Sequence, residues 1–386
     1  MGRKQMKIAF DAQLLLKPDL TGIGRYAENI LKNFKQQTYE LELNVLVGKH
    51  EKVYLPAVEE YKKYGYKIRK NFGCSGVLYK LITAVLPLPY HIFFNGDMDA
   101  TIFFNYIVPP GVKGKKIVFI HDMAYKVYPE TLRIRTKIWL NLNIRRSKRR
   151  ADKFITISEF SKKEMVKYLN IHPDNIEVIY AGVDFEVYHP NYTREKIESV
   201  KNKYHISKDY FMYLGTIEPR KNIVGLIKAY YKIKEKFFGK QPKLVLAGKR
   251  GWLYKEIDIW IDKLQLNRDI IFAGYITEEE SAVLINGAIA FVFPSFYEGF
   301  GLPPLEAMAC GTPVISSKVA SIPEVVGDAG ILVDPESEEE LYYAMLDIMQ
   351  NKELANMLSE KGIQRAKKFT WENSSKNLLK VIESVV

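Results

Sequence analysis

Only two cysteines, Cys74 and Cys310, occur in 386 residues, which excludes a disulfide framework and a thiolate metal centre and suits a reducing compartment. No apolar run is long enough to span a bilayer: the longest, Val77 to Phe94, is interrupted by Lys80, Pro87, Pro89 and His91. It reads as a core or interfacial helix in preference to a lipid-binding lip. The start, Met1 to Lys7, is basic but leads into an ordinary strand, without the apolar core or small-residue cleavage site of a leader peptide. Repeats of solenoid length and low-complexity segments are also missing. No stacking aromatics accompany the basic segments, which weighs against nucleic acid as a partner.

What the chain does have is bulk and a regular alternation of strand and helix patterns. Its length suits about two to three domains, and 47% hydrophobic residues supply sizeable cores. In the first half, strands are expected near residues 6–11, 41–47, 101–105, 116–120, 153–157 and 176–180, with helices near 23–36, 76–85, 131–149 and 161–169. The last of these helices is opened by Ser161-Lys162-Lys163-Glu164, which has the form of a capping box. The pattern lapses at Tyr188-His189-Pro190-Asn191, a plausible linker. A second unit follows, with strands near 211–214, 243–247, 270–273, 289–293, 312–316 and 330–333. Thr277 to Glu280 and Ser337 to Glu340 both have capping-box form. Such alternation predicts an α/β protein of two doubly wound units with parallel sheets, 1–190 and 191–370, and a ligand cleft between them, followed by an amphipathic tail at 371–386.

The net charge is +12, and the cationic excess lies almost wholly in the first half. Its densest part is Arg145-Arg146-Ser147-Lys148-Arg149-Arg150, at the end of an expected helix. One reading is a solvated helix end whose cations complement the dipole. The other is a patch that meets anionic lipid head groups or a diphosphate-linked acceptor.

The most informative stretch runs from Phe293 to Ile315, where Glu298 and Glu306 stand eight positions apart across a glycine turn. A strand through Phe293 precedes the turn and a helix through Glu306 follows it. Gly299 and Gly301 leave backbone N–H groups at the helix start open to an anion. This pattern suits a phosphorylated, hydroxyl-rich ligand, since a carboxylate accepts from two hydroxyls of a diol.

The stretch resembles the E-x7-E signature of retaining, nucleotide-sugar-dependent glycosyltransferases of the group 1 family, mannosyltransferase-like members included. Thr21-Gly22-Ile23-Gly24-Arg25-Tyr26, Ile120-His121-Asp122 and Leu214-Gly215-Thr216-Ile217-Glu218-Pro219-Arg220-Lys221-Asn222 match the same family in order, so the resemblance covers nearly the whole chain. It implies the GT-B fold: a Rossmann-like acceptor-binding domain at 1–190, a Rossmann-like nucleotide-sugar domain at 191–370, and a last helix, 371–386, that crosses back to the first domain.

The resemblance also implies roles. Arg220 and Lys221 would neutralise the donor diphosphate, although the commoner family pattern has Arg directly after the glycine, where this chain has Thr216. Glu306 would bond the ribose hydroxyls. Glu298 would face the donor sugar, with Gly299, Phe300, Gly301 and Leu302 around it. Tyr275 and Ile276 would flank the base, and Glu278 would accept from guanine or else cap its helix. His121 would lie at the reaction centre, and Gly22 and Gly24 would permit close approach of the diphosphate or acceptor. No cofactor or metal is implied beyond the nucleotide sugar, for which GDP-mannose is preferred over a UDP-sugar. The acceptor would be a glycan or a polyprenyl-diphosphate-linked glycan in surface polysaccharide or lipopolysaccharide synthesis. The enzyme would then be cytoplasmic, with peripheral contact at the inner face of the membrane.

Other readings are weaker. Gly22 to Ala27 fits a relaxed dinucleotide fingerprint, but the second strand ends in Gly48-Lys49-His50, with no acid for a ribose. Asp97-Met98-Asp99 has the D-x-D form of a metal site but is read as a loop. An epimerase or phosphorylase on the same fold, or a non-catalytic sugar-nucleotide-binding partner, remains as an alternative class.

Overall fold

The structure, a computed structural model, describes residues 5–17, 20, 22–34, 39–94, 96–131, 134–237, 240–251 and 255–386. Thr21 of the glycine motif lies outside them, as do residues 35, 36, 132 and 133 of two expected helices. Two compact units form, one of residues 1–181 with 371–386 and one of residues 182–370. The chain therefore divides at 181/182 and not at 190/191. Val183 N–H donates to Phe369 O at 3.1 Å, and buried Tyr188 places its hydroxyl 3.2 Å from Ser281 Oγ. The expected linker at 188–191 is thus packed onto the second unit.

In the first unit a seven-stranded parallel sheet has the order β3-β2-β1-β4-β5-β6-β7. Its strands are β1 (Lys7–Asp11), β2 (Glu40–Leu46), β3 (Tyr66–Asn71), β4 (Ala100–Phe103), β5 (Lys115–Phe119), β6 (Lys153–Thr156) and β7 (Ile176–Val178). Central strands such as β4 are buried at every position, because helices cover both faces of a parallel sheet. β3 was not anticipated: YKIRKN is an edge strand whose outward positions are charged, and it lacks an apolar run. Arg69 of β3 reaches back to Glu42 of β2 with Nε to Oε2 at 2.7 Å.

Helix starts also depart from expectation. The helix Glu159–Leu169 is capped by Ser158, whose Oγ accepts from Ser161 N–H at 3.0 Å. Ser161 is therefore inside the helix, and its own hydroxyl donates to His121 O at 3.2 Å. The helix Gly76–Val85 buries Tyr79, yet Val77 is 65% and Leu81 63% exposed, so it is interfacial and not a core helix. The last helix, Trp371–Val385, packs on the helix Gly22–Asn33: Trp371 meets Tyr26 edge-on at 5.3 Å, and Ser375 Oγ donates to Ile30 O at 3.0 Å.

The second unit holds a six-stranded parallel sheet of order β10-β9-β8-β11-β12-β13. The strands are β8 (Tyr210–Leu214), β9 (Lys243–Ala247), β10 (Ile270–Gly274), β11 (Ala290–Phe293), β12 (Val314–Ser317) and β13 (Gly330–Val333). In each sheet the strand order reverses direction next to the first strand of the unit, between β1 and β4 and between β8 and β11. Doubly wound sheets bind ligands at that point, outside the carboxyl ends of the strands.

Candidate active site

At the switch point of the second unit, the segment after β8 turns through a short helical turn, Pro219–Lys221, before the helix Ile223–Phe237 begins. Asn222 closes that turn in the left-handed region, with φ 55°, and its Nδ2 donates to Pro335 O at 2.6 Å. This aims Arg220 and Lys221 at the loop leaving β11. Lys221 is buried, with its Nζ 5.1 Å from the centre of the Phe293 ring and 2.5 Å from Glu298 Oε1. Arg220 Nη1 lies 2.5 Å from Tyr297 O and 3.3 Å from Glu298 Oε2, while Nη2 bonds Glu218 Oε1 at 2.8 Å.

Two cations and two carboxylates thus share one largely buried cluster. Burial alone would raise the Glu298 carboxyl, but the charges of Lys221 and Arg220 outweigh it and hold the group below its ordinary value. Burial pulls Lys221 down, and Glu298 opposes it. The cations are paired within the protein, Lys221 with Glu298 and Arg220 with both Glu298 and Glu218.

Glu298 is held from behind as well. Ser321 Oγ lies 2.9 Å from Glu298 O and 2.8 Å from Phe300 O, and fastens the turn to the next helix, Ile322–Val326. Gly301 precedes the helix Leu302–Ala309 with φ 117°, and a Cβ there would stand 2.7 Å from Ile322 Cδ1, so both backbone and space demand glycine. Gly299 is not in the left-handed region. Pro303 and Pro304 follow Leu302, which leaves Leu302 as the one N–H among the first three helical residues. An anion at this helix start therefore relies on the dipole and the turn more than on a full row of N–H groups. Glu306 lies one turn further in and is buried.

The carboxyl ends of β8, β9 and β10 are built on glycines. Gly215, Gly248 and Gly274 all have positive φ, and a Cβ on Gly248 would collide with Gly215 O at 2.0 Å. Beyond Gly274 come exposed Tyr275, with Lys249 Nζ 4.9 Å from its ring centre, and buried Ile276. Thr277 caps the helix Glu278–Asn286, and Glu280 closes the capping box. The box partner is Glu280, and Glu278 is the first residue of the helix. At the other predicted box, Ser337 caps but Glu340 turns to Asp334 N–H at 2.7 Å instead of to its own helix start.

The remaining predicted residues belong to the first unit. His121, just beyond β5, is buried against Tyr26 and Phe119, with Nε2 2.7 Å from Phe104 O. A carbonyl only accepts, so the proton sits on Nε2 and Nδ1 is left as an acceptor. Burial lowers the His121 pKa, which keeps the ring neutral. Gly22 and Gly24 start the helix Gly22–Asn33. A Cβ at Gly22 would meet nothing within 4 Å, so packing within the chain does not require that glycine, whereas one at Gly24 would press on Leu20 at 3.2 Å.

A cavity of about 230 Å³ opens at the carboxyl ends of β1, β2 and β4, lined among others by Asp11, Gln13, Lys80, Asn105 and Arg150. Burial raises Asp11 to about 6, against the pull of Lys80. The buried Tyr90 hydroxyl interacts with both Asp11 and Asn44 there. Sequence reading missed this cavity, Glu218 and Ser321, because their partners are distant in the chain. Asp97 and Asp99 lie at the opposite, amino end of the sheet, where Asp99 Oδ2 accepts from Lys7 N–H at 2.8 Å.

Comparison with known proteins gives the arrangement a family. Residues 194–365 match the model of glycosyl transferases group 1, and residues 20–187 match that of glycosyltransferase family 4. O-antigen chain mannosyltransferase B of Escherichia coli is 32% identical over 378 residues, covering 95% of this chain and 97% of that protein. O-antigen chain mannosyltransferase RfbU of Salmonella typhimurium is 28% identical over 233 residues, 60% of each chain. Among solved structures, Anabaena Alr3699/HepE in complex with UDP and glucose superposes with TM-score 0.75 at 18% identity, covering 98% of this chain and all of that one. WaaG, a glycosyltransferase involved in lipopolysaccharide biosynthesis, gives 0.72 at 15% identity, covering 97% and 99%. With two Rossmann-like units of parallel sheet and this coverage by relatives, the chain belongs to the group 1 glycosyltransferases of GT-B fold.

Proposed function

We propose that this glycosyltransferase moves mannose from GDP-mannose, with retention of anomeric configuration, onto a growing glycan or polyprenyl-diphosphate-linked acceptor in surface polysaccharide or lipopolysaccharide synthesis. The observation that carries the reading is the buried Arg220–Lys221–Glu298 cluster at the switch point of the second unit, in a chain whose full-length relative is named an O-antigen chain mannosyltransferase. Departure of a nucleoside diphosphate builds negative charge on phosphate, and fixed cations beside it stabilise that charge without reorganisation. Arg220 and Lys221 take this role, and the reaction needs no divalent metal. Glu306 holds the ribose, Tyr275 and Ile276 flank the base, and Glu278 reads guanine. Gly299 to Leu302 shape the turn around the diphosphate and sugar.

In the first unit, His121 presents a neutral Nδ1 to the sugar, Gly22 and Gly24 admit the diphosphate or acceptor, and the cavity at Asp11 receives acceptor hydroxyls. The protein works at the cytoplasmic side of a membrane as a peripheral enzyme. Exposed Val77, Leu78 and Leu81 on one helix and Ile134, Ile138 and Leu142 on another support membrane contact, together with the cationic excess. Among the described residues, no helix is long and apolar enough to cross a membrane. The experiment that tests the donor is thermal stabilisation by a panel of nucleotide sugars. A ligand at about 100 times its dissociation constant adds about 2.7 kcal/mol. GDP-mannose should stabilise more than any UDP-sugar, and the reverse order would overturn the donor assignment.

A further inference from the structure

The basic run at 145–150 does not act as one patch. Arg146 Nη1 turns to Thr83 O at 3.4 Å, and Arg150 Nη1 turns to Val108 O at 2.9 Å. Arg145, Lys148 and Arg149 lie on another face of the helix Ile134–Arg150, where they join Lys126 around a separate pocket of about 310 Å³. Tyr125, Asn141, Tyr168 and Leu169 complete its lining.

Among the described residues no carboxylate lines this pocket, and the sequence of the helix Ile134–Arg150 contains no acidic residue. Among the described residues Lys126, Arg145, Lys148 and Arg149 form no ion pair, in contrast with Arg220 and Lys221. Lys126 bonds the Asn141 side-chain oxygen, and burial, followed by the charges of Arg145 and Lys137, lowers its pKa. Four cations gathered in a concavity repel one another unless an anion sits among them. Arg and Lys together suit a phosphate, one offering paired donors and the other a point charge. Along the same helix, Ile138 and Leu142 are exposed, each two turns before Arg145 and Arg149 respectively. An apolar ridge beside an unpaired cationic pocket matches the two layers of a membrane interface.

We propose that this pocket seats the phosphate of an anionic phospholipid head group, with Ile138 and Leu142 entering the acyl boundary. The proposal rests on the membrane reading above and gives that reading a specific site. Each Lys or Arg near an anionic surface contributes roughly a fivefold gain in binding. Sedimentation with phosphatidylcholine vesicles, with and without phosphatidylglycerol, tests it on the full chain. The pair Lys126→Gln and Arg145→Gln should lower binding to phosphatidylglycerol vesicles on the order of thirtyfold. A charge-matched control, Lys162→Gln with Lys163→Gln on the helix Glu159–Leu169, should lower it less than about threefold. Leu142→Ser tests the ridge without touching a charge, and should weaken binding at any salt concentration. Equal losses in the two charge pairs would replace the pocket with diffuse attraction and overturn the proposal while sparing the membrane reading. A wild-type chain that ignores both vesicle types would overturn both. Calorimetric binding of inorganic pyrophosphate, lost in the pocket pair and without vesicle binding, would make this a soluble-phosphate site instead. None of these measurements needs a transfer reaction, so they stand apart from the choice of donor.

Discussion

Glu298→Gln is the substitution in which the proposed mechanism and the structure constrain each other most. Glu298 is the shared counter-ion of Lys221 at 2.5 Å and Arg220 at 3.3 Å, and both its own side chain and that of Lys221 are nearly buried. Breaking a buried pair by removing one charge costs about 3–5 kcal/mol, and a glutamine that still accepts one hydrogen bond should fall near the lower end. For a unit of this size, about 3 kcal/mol is roughly 6–12 °C in the melting transition. The same change removes the carboxylate partner of Lys221, while Arg220 keeps Glu218, so GDP should stabilise the variant by at least about 1 kcal/mol more than it stabilises the wild type. Turnover should nevertheless drop by roughly two to three orders of magnitude, because the sugar loses a carboxylate where charge develops. The pH dependence has a defined sign. The folded pKa lies below the ordinary 4.5, so the stabilisation is present above that pH and is lost as pH falls below it. Glu298→Gln should therefore flatten the acid limb of the stability profile. Scanning calorimetry with and without GDP, across pH, reads all of this. A variant that melts within about 1 °C of wild type, with unchanged response to GDP, would show the ion pair to be a spectator.

Other consequences follow from single groups. Glu306→Gln should weaken GDP and GDP-mannose alike and raise KM with little change in kcat, since a ribose contact is the same in ground and transition states; a loss confined to kcat would move Glu306 to the reaction centre. Glu278→Gln should weaken GDP-mannose more than any UDP-sugar while leaving the melting temperature intact, because Thr277 and Glu280 already cap the helix; a loss of stability with unchanged nucleotide preference would return it to a structural role. Asp11, raised from 3.8 to about 6, stabilises the fold relative to the unfolded chain fully below 3.8 and loses that advantage as pH rises through 6. Asp11→Asn should remove that decline, which is roughly 3 kcal/mol, and raise the KM for acceptor but not for donor; an unchanged acceptor KM would detach the cavity from the acceptor. Transfer should persist in EDTA, and activity lost there and restored by manganese would overturn the role given to Arg220 and Lys221.

The parallel sheets were legible because strands covered on both faces must be apolar throughout, as Ala290–Phe293 and Lys243–Ala247 are at nearly every position. β3 was hidden for the opposite reason: an edge strand keeps its charges. Helix starts were legible only where one cap competed. Ser161 and Glu164 spell a box, but β6 ends at Thr156, and extended Ser158, at φ −157° and ψ 156°, takes the cap first. Individual candidate residues could be picked out from their motifs. Their energetics could not, since the pairing of Lys221 with Glu298 spans 77 positions and converts two presumed phosphate ligands into members of a neutral cluster. The basic run likewise looked continuous in sequence, although helical geometry sends Arg146 and Arg150 to one side and Arg145 and Arg149 to another.

The central claim is retaining mannosyl transfer, and the stereochemistry of the product tests it most directly. Proton NMR of a reaction containing the chain, GDP-α-mannose and a polyprenyl-diphosphate-linked glycan reports donor loss, GDP release and the anomeric configuration of the new linkage together. The account predicts that GDP appears only when acceptor is present and that the new mannose is α-linked. A β-linked product, or GDP-mannose left intact while a UDP-sugar is consumed under the same conditions, would contradict it.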